Sequence, residues 1–148
     1  MRALIQRVSK ASVSVGSNTI GEIGQGYVIL LGVGHEDTEA QADKLWAKIS
    51  KLRIFEDHNG KANLSLFDIS GEVMIVSQFT LYANCKKGNR PSFVEAGNPD
   101  EAERLYEYFI ELAREDGFTP ATGSFGEMMD VSLINDGPFT IHLDTDTL

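Results

Sequence analysis

Val73-Met74-Ile75-Val76 is an unbroken apolar run that follows the turn residues Ser70-Gly71. Four such residues in a row predict a strand buried on both faces, because a half-solvated strand would alternate. The pattern then breaks. Ser77, Gln78 and Thr80 set three polar side chains around Phe79 before apolar character returns at Leu81-Tyr82. A core strand that turns polar at one end lines a pocket or meets a neighbour's polar edge, so the chemistry is expected here. A second unusual stretch, Asn135-Asp136-Gly137-Pro138-Phe139-Thr140, lies near the C-terminus.

The remaining pattern is mostly strand. Residues 3–8 and 11–15 read as one strand or a bent pair, with Val8, Val13 and Val15 alternating with serines. Gly16-Ser17-Asn18 signals a turn, so 19–23 is predicted to fold back as a hairpin partner. Residues 27–33 form a second buried strand, and short strands are expected around 53–56 and 61–66. Thr38-Glu39-Ala40-Gln41 has the form of a capping box, and Ala42, Leu45, Trp46, Ile49 and Leu52 follow at helical spacing. Asn98-Pro99-Asp100-Glu101 opens a second helix, with Ala102, Leu105, Tyr106, Phe109, Leu112 and Ala113 as its stripe and Gly117 as its stop. Strands at 128–134 and 139–143, joined by a turn at 135–138, close the chain. The sum is an α+β fold: one domain over 1–148, a curved, largely antiparallel β-barrel-like sheet with two flanking amphipathic helices.

Composition narrows the setting. The chain of 148 residues is 42% hydrophobic and 24% charged, which fits a soluble protein with a full core. No apolar run approaches the roughly 20 residues of a membrane span, and no signal-peptide pattern opens the chain. One cysteine, Cys85, suits a reducing compartment, so a cytoplasmic location is expected. The net charge of −9 argues against gripping a long nucleic acid through its phosphates. Lys86-Lys87-Gly88-Asn89-Arg90 is the local exception, either a solvated loop or an anion contact.

The usual catalytic constellations do not assemble. His35, His58 and His142 are scattered, with no ligand spacing to cysteine or carboxylates, so neither a metal nor a cofactor is implied. Thr80 is the available nucleophile, but nothing in the sequence stands by to activate it, and a structural strand threonine is the better reading. Gly137-Pro138 offers backbone carbonyls with almost no side-chain bulk.

Ser77-Gln78-Phe79-Thr80 together with Asn135-Asp136-Gly137-Pro138 resembles the D-aminoacyl-tRNA deacylase family in its bacterial and eukaryotic form. The likeness extends through Ile5-Gln6-Arg7-Val8, Lys87-Gly88-Asn89-Arg90-Pro91-Ser92-Phe93, Thr122-Gly123-Ser124-Phe125-Gly126 and Met129-Asp130-Val131. The resemblance implies an ester hydrolase acting on D-aminoacyl-tRNA and on mischarged glycyl-tRNA. It implies a homodimer in which Gly137-Pro138 of one subunit enters the other's site and excludes L side chains. The terminal ribose 2′-hydroxyl would help activate water, the backbone N–H of Phe79 would hold the oxyanion, and Thr80 and Ser77 would shape the pocket. Gln78 would hold its edge or the terminal adenosine, Met129 and Phe125 would wall the adenosine, and Arg7 would steady Gly137-Pro138. Phe139 stands where many relatives carry valine, which is expected to alter packing rather than chemistry. The partners implied are the aminoacyl-tRNA 3′ end and a second copy of the chain, with no membrane. Two alternatives stay open: a non-catalytic binding module using the 86–90 loop, and an enzyme with Thr80 as covalent nucleophile.

Overall fold

Alternating apolar residues make β1 (Arg2–Val15) one strand of 14 residues rather than a bent pair. The computed structural model describes residues 1–148. After β1 come β2 (Asn18–Ile23), β3 (Gly26–Gly32), α1 (Glu39–Ile49), β4 (Arg53–Glu56), β5 (Ala62–Ser65) and β6 (Glu72–Ser77). A 3₁₀ turn (Phe79–Tyr82), α2 (Pro99–Glu115), β7 (Ala121–Thr122) and β8 (Asp130–Asp144) complete the order. β1 pairs antiparallel with β2, β3 and β8. The parallel neighbours β6 and β7 extend the sheet beyond β3. The sheet curls until β2 approaches β6 and β7, which leaves a nearly closed barrel, and β4 and β5 form a separate hairpin.

The β1–β8 register shifts on both sides of Val8. Side chains alternate faces with period two, so such a shift moves the buried set to the opposite face. Before it, Ala3 and Ile5 join the larger core beneath the helices; after it, Val8, Ala11 and Val13 join a smaller core inside the curl. β8 changes face in step. Val131 and Leu133 pack on the smaller core, and Phe139, Ile141 and Leu143 on the larger. β3 and β6 serve both cores at once: Ile29, Leu31, Val73 and Ile75 face the helices, while Val28, Met74 and Val76 face the interior of the curl. That double burial is why their apolar runs do not alternate.

Both helices cover the larger core. The capping box at Thr38 and Gln41 forms, and Asn98 caps α2 by accepting the Asp100 N–H at 3.0 Å. Trp46 belongs to this core: its ring meets Phe109 edge-on at 5.6 Å, and its indole N–H donates to Asp116 at 2.8 Å.

Three elements differ from the expected pattern. The central strand stops at Ser77, where the Gln78 N–H makes a last bond to the Leu31 carbonyl at 2.7 Å and the chain curls into the 3₁₀ turn. Gly32 leaves room for that curl, since a Cβ there would lie 3.0 Å from the Gln78 carbonyl oxygen and 3.1 Å from Leu81 Cβ. Residues 135–138 are not a hairpin turn, because the two expected strands lie in line along the same edge of β1 as one element. The two-residue β7 is an addition to the expected pattern, too short to show a period of its own.

The β3–β6 pairing allows no side chain at Gly26, where a Cβ would sit 1.8 Å from the Glu72 carbonyl oxygen. Backbone cannot rotate away as a side chain does. Gly26→Ala is therefore expected to destabilise the fold by about 3 kcal/mol or more, as overpacking against a fixed neighbour does. Urea unfolding measures this, and a loss below about 1 kcal/mol would mean the two strands separate easily.

Candidate active site

The polar segment lies at the carboxyl ends of the parallel strands β3 and β6. Crevices form there because the chain must leave the sheet and diverge. Ser77 is half-buried, and Phe79 and Thr80 are exposed, with Phe79 at 56% relative exposure despite its apolar ring. The Phe79 ring meets Phe93 edge-on at 5.1 Å. The Gln78 side-chain amide donates to Thr80 Oγ1, and no histidine, lysine or carboxylate is hydrogen-bonded to either hydroxyl. An amide is not a base, so Thr80 has no proton acceptor beside it. The first amides of a helical turn lack acceptors within it, which leaves the Phe79 N–H available to a ligand.

The 3₁₀ turn is clamped from β1. Arg2 donates to the Leu81 carbonyl at 3.0 Å, stacks 4.3 Å over the Tyr82 ring and pairs with Asp144 at 2.8 Å. Tyr82 donates to Asp37 at 3.0 Å, and Asp37 also accepts from the Gly34 N–H at 2.6 Å. Burial, then the neighbouring Asp37 carboxylate, pushes the Tyr82 phenol well above its ordinary range. Asp37 escaped sequence reasoning, since nothing in the pattern links it to a tyrosine 45 residues away. Tyr106 is likewise pushed up to about 12 by burial while its hydroxyl donates to the Ile75 carbonyl at 2.8 Å. These phenols are hydrogen-bond donors at neutral pH, not bases.

The free edge beside β6 is covered by the loop after β7. The Gly123 N–H bonds the Ile75 carbonyl at 3.3 Å, and a Cβ on Gly123 would lie 2.6 Å from Met129 Sδ and 3.4 Å from Val76 Cγ1. The Ser124 N–H donates to Met129 Sδ at 3.3 Å, and Phe125 leans on Tyr106 at 5.8 Å. Met129 therefore sits against the strand that ends in Ser77. On the far side of this loop, a cleft of about 490 Å³ opens against α2, lined by Tyr106, Phe125 and the acidic residues Glu103, Glu107 and Glu111. No three His, Cys, Asp or Glu side chains come together as a metal site.

The Asn135–Thr140 stretch is the place where β8 changes face. Gln6 pairs with Thr140 and Val8 with Asn135, so the four residues 136–139 oppose Arg7 alone and bulge outward. Arg7 is buried at 7% exposure and donates to the Asp136 carbonyl at 2.9 Å and the Ile54 carbonyl at 2.6 Å. Its guanidinium lies 4.8 Å over the Phe139 ring, which packs on the larger core and not toward the tip. Asn135 closes the base by accepting the Phe139 N–H at 2.5 Å and donating to Thr140 at 2.9 Å. The Gly137–Pro138 bond is cis, and Gly137 sits at φ +141, a backbone region that favours glycine. Both tip residues are exposed. The 3₁₀ turn is held at the Arg2 end of β1, about 17 Å along the strand by its rise per residue, and β3 intervenes. One chain thus keeps Gly137 and Pro138 apart from Ser77, Gln78, Phe79 and Thr80.

The family model described as D-Tyr-tRNA(Tyr) deacylase matches residues 4–144. A Dehalococcoides mccartyi protein named D-aminoacyl-tRNA deacylase is 58% identical over 145 residues, covering 98% of this chain and 95% of that protein. A Thermotoga petrophila protein of the same name is 54% identical over 148 residues, covering 100% of this chain and 99% of that one. Among solved structures, the c-Myc DNA Unwinding Element Binding Protein superposes with a TM-score of 0.91 at 42% identity, covering 97% of this chain and 98% of that one. A probable eukaryotic D-amino acid tRNA deacylase shares the fold with a TM-score of 0.83 at 17% identity, covering 96% and 97%.

Removing the Arg7 guanidinium leaves two carbonyls without their donor. Arg7→Met is expected to cost about 3 kcal/mol in urea unfolding, the scale of a buried charge-assisted pair of bonds. Faster amide exchange at 136–139 should accompany it. Wild-type stability and exchange in the variant would mean that Asn135 alone holds the bulge.

Proposed function

The chain belongs to the D-Tyr-tRNA(Tyr) deacylase family, and we propose on that premise that it proofreads chirality in the cytoplasm by hydrolysing the ester of D-aminoacyl-tRNA. Deacylation of D-aminoacyl-tRNA is the activity its closely similar relatives are named for, and this chain is a hydrolase of that class. The observation that carries the mechanistic reading is the exposed end of β6, made of backbone and hydroxyls with no side-chain base. Such a site suits a substrate that brings its own activating group.

In this reading the ester carbonyl oxygen rests on the Phe79 N–H, and the terminal ribose 2′-hydroxyl assists a water in attacking the carbonyl carbon. The ester C–O bond breaks, the amino acid leaves as its carboxylate, and the 3′-oxygen takes up a proton. A single oxyanion donor is worth on the order of 10²–10³ in rate, and fixing the water and ester relative to each other adds to it. Ser77 and Thr80 shape the pocket, Gln78 holds its edge, and Met129 and Phe125 wall the adenosine. Gly137-Pro138 of the partner subunit completes the site, because one chain leaves its own tip far from its own pocket. Its carbonyl oxygens accept from the substrate ammonium and occupy the volume an L side chain needs. Glycine has no side chain to exclude, so glycyl-tRNA is also a substrate. Specificity of this kind comes from a clash built against the wrong ligand.

A second reading has one observation behind it: a 42% identical solved structure carries the name of a DNA-element binding protein. A base-free pocket would fit a binding module as well. The net charge of −9 weighs against a grip on duplex phosphates.

Catalytic amounts of protein mixed with D-Tyr-tRNA and L-Tyr-tRNA should release tyrosine from the D ester alone. No turnover of D-Tyr-tRNA or Gly-tRNA, with salt-dependent binding of DNA, would establish the binding module instead. Thr80→Ala should retain measurable hydrolysis, since Thr80 Oγ1 already accepts the Gln78 amide and faces no base. Complete loss in that variant with tRNA binding intact would make Thr80 a nucleophile.

A further inference from the structure

Lys86, Lys87 and Arg90 stand exposed within five residues, and none makes an ion pair or side-chain hydrogen bond. Lys10, Lys48, Lys51 and Lys61 are likewise unpaired, but no three of these lie within five residues. Arg2, Arg7, Arg104 and Arg114 are paired with carboxylates, and Lys44 and Arg53 are bound to backbone carbonyls. In a chain of net charge −9, three unneutralised cations on one short loop form a local positive field that the rest of the surface opposes.

The loop is a built arm. Asn84 and Ser92 close its base with two backbone hydrogen bonds of 2.8 and 3.0 Å. The Asn84 side chain accepts the Lys86 N–H at 3.0 Å and donates to Glu95 at 3.2 Å. Gly88 turns the tip at φ +67. The arm leaves directly from the 3₁₀ turn and returns at Phe93, whose ring touches Phe79. Its cations therefore lie within about 13 Å of the base of the arm, four residues of extended chain. Phe79, Phe93 and the 74% exposed Val94 give an apolar surface between the arm and the pocket.

The opposite flank has the opposite sign. Glu103, Glu107 and Glu111 line the cleft between α2 and the Thr122–Phe125 loop, and Arg114 beside them is already paired with Glu111. A phosphate chain leaving the pocket toward α2 meets carboxylates; one leaving toward the arm meets free cations and exposed rings.

Resting on the deacylase reading, we propose that the 84–92 arm is the docking surface for the single-stranded 3′ end of the tRNA. Lys86, Lys87 and Arg90 take the phosphates that precede the terminal nucleoside, and Phe93 offers a face to an unstacked base. Free cations beside exposed aromatic rings match how single strands are held. The acidic wall sets the direction in which the strand leaves.

The test compares two substrates of the triple variant Lys86→Gln/Lys87→Gln/Arg90→Gln: D-Tyr-tRNA, and D-tyrosyl-adenosine, which has the same ester and no phosphates. For the tRNA, KM is expected to rise about tenfold or more with kcat unchanged, and the slope of log KM against log salt should fall by about 2, three single-strand contacts at about 0.7 each. D-Tyrosyl-adenosine should be hydrolysed as by wild type, which also shows that the variant is folded. An unchanged KM and salt slope for the tRNA would overturn the proposal, as would an equal loss on both substrates, which would place the arm in the pocket's own architecture. Wild-type protein inert toward both esters would instead remove the deacylase reading on which the proposal stands.

Discussion

One buried guanidinium fixes the geometry of the Asn135–Thr140 stretch. Arg7 lies where β1 and β8 exchange the faces they bury, and a regular antiparallel pair has no means of doing that. The exchange pushes residues 136–139 out of the ladder, and their freed carbonyl needs a donor. Arg7 supplies it, binds Ile54 on the neighbouring hairpin, and covers Phe139. A lysine would reach one acceptor at a time, whereas the planar fork of arginine serves two carbonyls and a ring together. The bulge is thus the product of a two-core architecture and not an ornament on a strand.

The pocket edge follows from the other half of that architecture. Because β3 and β6 are buried on both faces, only their ends are free to be polar, and the chain leaves β6 at Ser77 over the space that Gly32 keeps open. What results is a surface of backbone donors and hydroxyls, flanked by the hydrogen-bonded phenols of Tyr82 and Tyr106. Such a surface positions and polarises; it does not abstract protons.

Much of this was legible in the sequence because its signals are local. The capping box at Thr38, the Asn98-Pro99 helix start and the Trp46 stripe from Ala42 to Ile49 each depend on neighbours within a turn and form as read, while Leu52 falls past the end of α1. The non-alternating run at Val73–Val76 correctly announced burial on both faces. The failures are long-range. Whether 135–138 turned the chain back or bulged from a continuing strand depended on register with residues about 130 positions earlier, and no local pattern encodes that. Asp37 is invisible for the same reason, and β7 because two residues show no period. Ser77, Gln78, Phe79 and Thr80 are contiguous in space as in sequence, while Gly137 and Pro138 lie elsewhere on the chain, a separation that only the topology of β1 makes plain.

The pairing of β1 with β8 has a consequence for how the chain reaches this state. Gln6 and Thr140 are neighbours across a separation of 134 residues, so the longest ladder of the sheet closes last during synthesis. Loop-closure entropy grows only as the logarithm of that length, so the waiting is a kinetic problem more than a thermodynamic one. Until β8 emerges, β1 offers a bare 14-residue edge whose amides and carbonyls can template another chain. Ser9 and Lys10, exposed beside the face switch, interrupt that edge with a hydroxyl and a charge midway along its length. The two residues beside the face switch of the finished molecule also shorten the sticky stretch of the unfinished one.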